Sequence, residues 1–77
     1  MKRKELELQF AVCINNTEYP ASLELHKIYR VIPDEVAIND GDLRIIDESG
    51  DDYLYPADWF VIVELPQKVE ESLMRAA

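Results

Sequence analysis

Leu43-Arg44-Ile45-Ile46-Asp47-Glu48-Ser49-Gly50-Asp51-Asp52-Tyr53-Leu54-Tyr55-Pro56-Ala57-Asp58-Trp59-Phe60-Val61 is the stretch on which the fold turns. Residues 43–47 are rich in branched apolar side chains, 48–51 carry turn chemistry, and 52–55 bring aromatics back in the opposite direction. That pattern predicts an antiparallel hairpin over 43–55. Pro56 stops it, 56–59 is long enough only for a turn of 3₁₀ helix, and Phe60 to Leu65 reads as a further strand with β-branched residues at 61–63.

Working outward, Glu5 to Asn15 alternates with period two. Leu6, Leu8, Phe10, Val12 and Ile14 fall on one side, Glu5, Glu7, Gln9, Ala11 and Cys13 on the other, which predicts a half-buried strand with its core on the leucine side. Asn15 to Glu18 is a turn, and Pro20 biases Tyr19 toward extended geometry. Leu23, Leu25 and Lys27 to Ile32 predict a second β segment closed by Pro33-Asp34. Residues 33–42 read as a long loop in which Gly41 turns the chain into the hairpin. Pro66 suits the first position of a helix, and 66–75 carries good helix formers, a Glu71/Arg75 pair and an apolar Val69/Leu73/Met74 edge. That helix must lean on the sheet or on another chain, because about ten residues are marginal alone.

No internal repeat is present. Five short strands, a 3₁₀ turn at 56–59 and a terminal helix predict an all-β chain, a small barrel over about 5–65 followed by the helix over about 66–75. A sandwich needs about seven strands and roughly a hundred residues. Seventy-seven residues make one domain, 1–77, and a chain this short buries only roughly 60% of its unfolded surface.

Sixteen acids against eight bases give a net charge of −8. Between Asp34 and Asp58 nine acids face Arg44 alone, while the rest of the chain is balanced. Such a field repels phosphate backbones and anionic membranes, so neither nucleic acid nor membrane is an expected partner. The carboxylates either solvate loop tips and suppress edge-to-edge association, or meet a basic protein. Cys13 is the only cysteine, which fits a reducing cytoplasm better than a secreted framework. Met1-Lys2-Arg3-Lys4 is not followed by the apolar run of a signal peptide, and the longest uncharged run, Leu8 to Thr17, falls far short of a membrane span of roughly 20 residues.

The stretch Tyr53 to Val61 resembles the end of an SH3 domain, where a strand enters a proline-containing 3₁₀ turn and leaves as the closing strand. In order and spacing the resemblance extends over roughly 8–65, which implies an SH3-like five-stranded barrel. The chain is also similar to a group of short uncharacterised bacterial proteins sharing a DESG-D-YLYPA signature, here Asp47 to Ala57, and that group implies no biochemical role. Peptide-binding SH3 domains hold proline-rich ligands in an aromatic groove. The resemblance implies that Pro56 and Trp59 line such a groove, with Asp34 or Glu35 gripping a basic side chain. The chain departs from that pattern at Phe10 to Ile14, where an Ala-Leu-Tyr-Asp-Tyr segment should follow, and at Asp42-Leu43-Arg44, which replaces a tryptophan pair.

Catalytic chemistry has little to work with. His26 and Cys13 form no motif, and one Cys with one His cannot make a four-ligand zinc site. Counted from Asp47 as a calcium loop, positions six and twelve hold Asp52 and Asp58 instead of the glycine and glutamate required. No catalytic residue, metal or cofactor is expected. What remains is a non-catalytic interaction module or small regulatory subunit that meets a basic partner through Trp59, Pro56, Asp34, Glu35, Asp51 and Asp52. Trp59 is open to two roles, an interface hot spot or a structural plug. The competing reading is a self-associating homodimer built on a strand edge or on the Val69/Leu73/Met74 helix face.

Overall fold

A computed structural model describes residues 8–76. Its elements in chain order are β1 (Gln9–Cys13), β2 (Ile28–Ile32), α1 (Glu35–Asn39), β3 (Asp42–Ile46), β4 (Asp52–Pro56), a 3₁₀ turn (Ala57–Trp59), β5 (Phe60–Val63) and α2 (Gln67–Ala76). The strands form one antiparallel sheet ordered β4-β3-β2-β1-β5. The hairpin, the 3₁₀ turn and the terminal helix lie where the sequence predicts them. The expected barrel is not closed: β4 and β5 end the sheet on either side without pairing to each other. Closure needs strands that tilt and stagger around an axis, and strands of four or five residues supply little length for it.

Register assigns the two faces. Ala11, Cys13, Tyr29, Val31, Leu43, Ile45, Tyr55 and Phe60 share one face and, with Leu23 and Trp59, form the core cluster. Ala11, Cys13, Leu23 and Ile45 are fully buried. This inverts the prediction for β1, whose core side was expected to carry Phe10, Val12 and Ile14; Ile14 is 48% exposed. Leu6, Glu5 and Glu7 of that prediction lie outside the described residues. The inversion has a packing reason. β1 is the strand flanked by β2 and β5, both of its faces are covered, and its small Ala11 and Cys13 leave room for Leu23 and the aromatics to close over them.

Phe10 is buried on the opposite face, beneath α2. Leu73 and Met74 border a cavity of about 300 Å³ there with Phe10, Ile28, Arg30 and Ile46. The apolar edge of α2 therefore turns toward its own sheet, although Val69 stays partly exposed. Arg30 passes under the helix, Nη1 lying 3.8 Å from Met74 Sδ, and its Nε is buried without a hydrogen-bond partner among the described residues.

Two further segments differ from expectation. The loop predicted at 33–42 contains α1, started by Asp34 as an N-cap: its carboxylate accepts from the Ala37 N–H at 3.0 Å, and Ala37 is buried. Gly41, at φ 85°, ends it. Leu23 and Leu25 are not part of β2. His26 sits at φ 67° and donates its N–H to the Cys13 carbonyl at 2.7 Å, so the chain kinks just before the strand begins.

Candidate functional site

Asp47 follows β3 and is only 6% exposed, the one buried polar or charged residue among those described. Its carboxylate accepts from the Ser49 hydroxyl at 2.6 Å and the Ser49 N–H at 2.9 Å, closing an Asx turn at the hairpin tip. Gly50, at φ 88°, completes the reversal. Across the hairpin the Tyr55 hydroxyl donates to the other carboxylate oxygen at 2.6 Å. Burial alone would push the Asp47 carboxyl up, but the hydrogen bonds from Ser49 and Tyr55 outweigh it and hold the group below the usual carboxylate range. Burial, together with the same contact, pushes the Tyr55 phenol up to about 12. Asp47 is thus a buried carboxylate kept ionised.

Tyr19 reaches this place from the turn after β1. Its ring stands edge-on to Tyr55 with centroids 5.7 Å apart and lies 5.9 Å from Trp59. The Glu48 N–H donates to the Ser22 carbonyl at 2.9 Å and ties that turn to the hairpin. Between them is an open cleft of about 310 Å³ walled by Tyr19, Ser22, Tyr53 and Tyr55, with Asp47 and Ser49 also lining it. Tyr19 is 50% and Tyr53 51% exposed, so two aromatic surfaces face solvent beside an ionised carboxylate. That combination suits a cation, which gains from ring faces and from a fixed negative charge together. It does not suit proton transfer, because the Asp47 oxygens are already occupied by Ser49 and Tyr55.

The residues singled out from the sequence do not converge on this cleft. Trp59 is 8% exposed and packs against Tyr19 and Tyr55, the placement of a structural plug. Pro56 is exposed, but the register places it opposite Asp42 on the face away from Tyr55. Asp34 and Asp52 both accept from Arg44, at 2.8 and 2.9 Å. Asp34 is held below the usual carboxylate range by the Ala37 N–H first and by Arg44 second. Glu35 is exposed in the first turn of α1. Asp51 meets the site through its backbone, its carbonyl accepting from the Asp47 N–H at 3.1 Å in the hairpin turn.

A second acidic group lies nearby. Glu48 accepts hydrogen bonds from Lys27 at 2.6 Å and from the Tyr29 hydroxyl at 2.5 Å, and Tyr29 in turn accepts from the Glu24 N–H. Lys27 and Tyr29 hold the Glu48 carboxyl below its usual range, while burial and Glu48 push the Tyr29 phenol up. The residues missed by sequence reasoning are Tyr19, Asp47, Ser49 and Tyr53. Asp47-Glu48-Ser49 carried a readable Asx-turn signal, but nothing local to Tyr19 announces its distant partners. Among the described residues no cluster of His, Cys, Asp and Glu is arranged to hold a metal ion, and no helix is long and apolar enough to cross a membrane. Comparison with protein-family models, with curated proteins and with solved structures returned no match.

Proposed function

We propose that the protein is a non-catalytic interaction module that takes a lysine or arginine side chain of a basic protein into the cleft between Tyr19 and Tyr53. The observation that carries this reading is the buried, ionised Asp47 beside two half-exposed tyrosine rings in a chain of net charge −8. The exposed acids Asp51 and Glu35 add a long-range field that steers a basic partner and disfavours nucleic acid or anionic lipid. The architecture is read as an opened SH3-like barrel, since the 3₁₀ turn between β4 and β5 supports that relation. The buried Cys13 thiol supports a reducing compartment, the cytoplasm.

The test is a titration of isotope-labelled protein with a lysine- and arginine-rich peptide and with its glutamine-substituted counterpart. Amide shifts at Tyr19, Ser49 and Tyr53 are expected with the basic peptide only, and the double variant Tyr19→Ala, Tyr53→Ala should weaken binding about tenfold or more at low salt. Equal affinity in that variant, with loss only in Asp51→Asn combined with Asp52→Asn, would replace the cleft by diffuse surface attraction.

A further inference from the structure

We infer that the cavity between the sheet and α2 binds a small carboxylate with an apolar tail, its carboxylate held by Arg30. β2 directs Ile28 and Arg30 to the face opposite the core cluster, and the register sets Arg30 beside Phe10 of β1. α2 lies above them and brings Leu73 and Met74. Phe10, Ile28, Ile46, Leu73 and Met74 thus wall a space of about 300 Å³, at the small end of the ligand-pocket range of about 300–1,000 Å³.

Arg30 differs from the neighbouring bases in what it lacks. Arg44 is paired with Asp34 and Asp52, and Lys27 with Glu48. Arg30 makes no salt bridge among the described residues, and its Nε is buried there without an acceptor. Its Nη1 meets only the Met74 thioether at 3.8 Å, a weak acceptor. An exposed base without a partner stays hydrated, but a buried N–H without an acceptor has lost its water as well, and a ligand oxygen placed there recovers that cost. A carboxylate suits the position best, because its two oxygens match the planar fork of a guanidinium. Asp47 and Glu48 also border the cavity, but Ser49 and Tyr55 donate to the first, Lys27 and Tyr29 donate to the second, and Lys27 and Arg30 balance their two charges. What the cavity leaves unmet is a donor with an apolar wall beside it. A basic side chain, the guest of the tyrosine cleft, meets neither need, so this inference stands apart from that reading. The net charge of −8 repels an anion at long range, so affinity comes from contact and not from steering.

The test is a titration of the isotope-labelled full chain with octanoate and, as its uncharged counterpart, with octanol. Saturable shifts at Phe10, Ile28 and Leu73 are expected with octanoate at a dissociation constant on the order of 1 mM, with octanol about tenfold weaker or more. Arg30→Gln should weaken octanoate about tenfold and leave octanol unchanged, and Met74→Glu, which offers Arg30 a carboxylate from its own chain, should also weaken octanoate about tenfold, with circular dichroism confirming both folds. No saturable shift by about 10 mM octanoate means that water alone serves Arg30 and overturns the proposal. So does octanol binding as tightly as octanoate, or octanoate bound by both folded variants as by the parent. Octanoate shifts confined to Tyr19, Ser49 and Tyr53 overturn it too, because the ligand then sits in the other cleft.

Discussion

The two faces of the sheet are packed to different standards. On one, Ala11, Cys13, Val31 and Ile45 have essentially no exposure and are sealed by Leu23, Trp59 and Tyr55. On the other, Phe10 is the one strand residue fully buried, and Val12, Ile28, Ile32, Ile46 and Val63 are only partly covered. The difference shows where a chain of this size concentrates its stability. A single well-filled layer supplies most of the apolar burial, and a ten-residue helix that would be marginal alone trims the exposure of the other side.

The largest expected effect breaks that contrast directly. Ile45→Ala, at a fully buried position, should lower unfolding free energy by about 3–4 kcal/mol, while Leu73→Ala on α2 should cost about 1 kcal/mol. Equal losses in urea denaturation would mean that α2 is as much a part of the core as the sheet's inner layer.

The next effect concerns the polar seam at the end of the inner face. Asp47→Asn should cost about 2 kcal/mol, because a charged acceptor of three hydrogen bonds becomes a neutral one. Its sign with pH follows from the direction of the shifts. Asp34, Asp47 and Glu48 all have folded values below their ordinary ones, so their contribution is complete above the ordinary range of about 4 and is lost as pH falls through the lowered values. Melting temperature should drop below about pH 4 in the parent, and less steeply in Asp47→Asn.

The smallest effect sharpens the comparison at high pH. Tyr55, in the sealed layer, should ionise near 12, and since its folded value is raised, its contribution is intact below the ordinary tyrosine value of about 10 and fades as pH rises toward 12. Ultraviolet titration should therefore show a phase near 12, ahead of the still later phase of Tyr29, that Tyr55→Phe removes. Persistence of the phase near 12 in the variant would assign it to another tyrosine.

What was legible in the sequence was what local pattern encodes. The hairpin announced itself through the Asp47 to Gly50 turn between two β-rich runs, and α2 through Pro66 and its apolar spacing. α1 was illegible by periodicity because five residues hold little more than one turn, although Asp34 before an acidic first turn was a capping signal. β1 was assigned the wrong face because period two identifies alternation but cannot say which side is sealed when both are covered. The cleft was hidden for a different reason: Tyr19 and Tyr55 meet only after the sheet forms, through contacts spanning half the chain. Of the four acids marked in the sequence, Asp34 and Asp52 are taken up by Arg44, which a count of charges cannot reveal.

Cys13 lies between β2 and β5 with no exposure, and it is the chain's only thiol. A sulfhydryl reagent can reach it only when the cover of Leu23, Trp59 and their neighbours lifts from the inner face, so its labelling rate is a clock on opening of that layer. The molecule thus carries a built-in reporter, needing no engineered probe, that distinguishes fraying of α2 on the opposite face, which leaves the thiol silent, from opening of the inner layer, which exposes it.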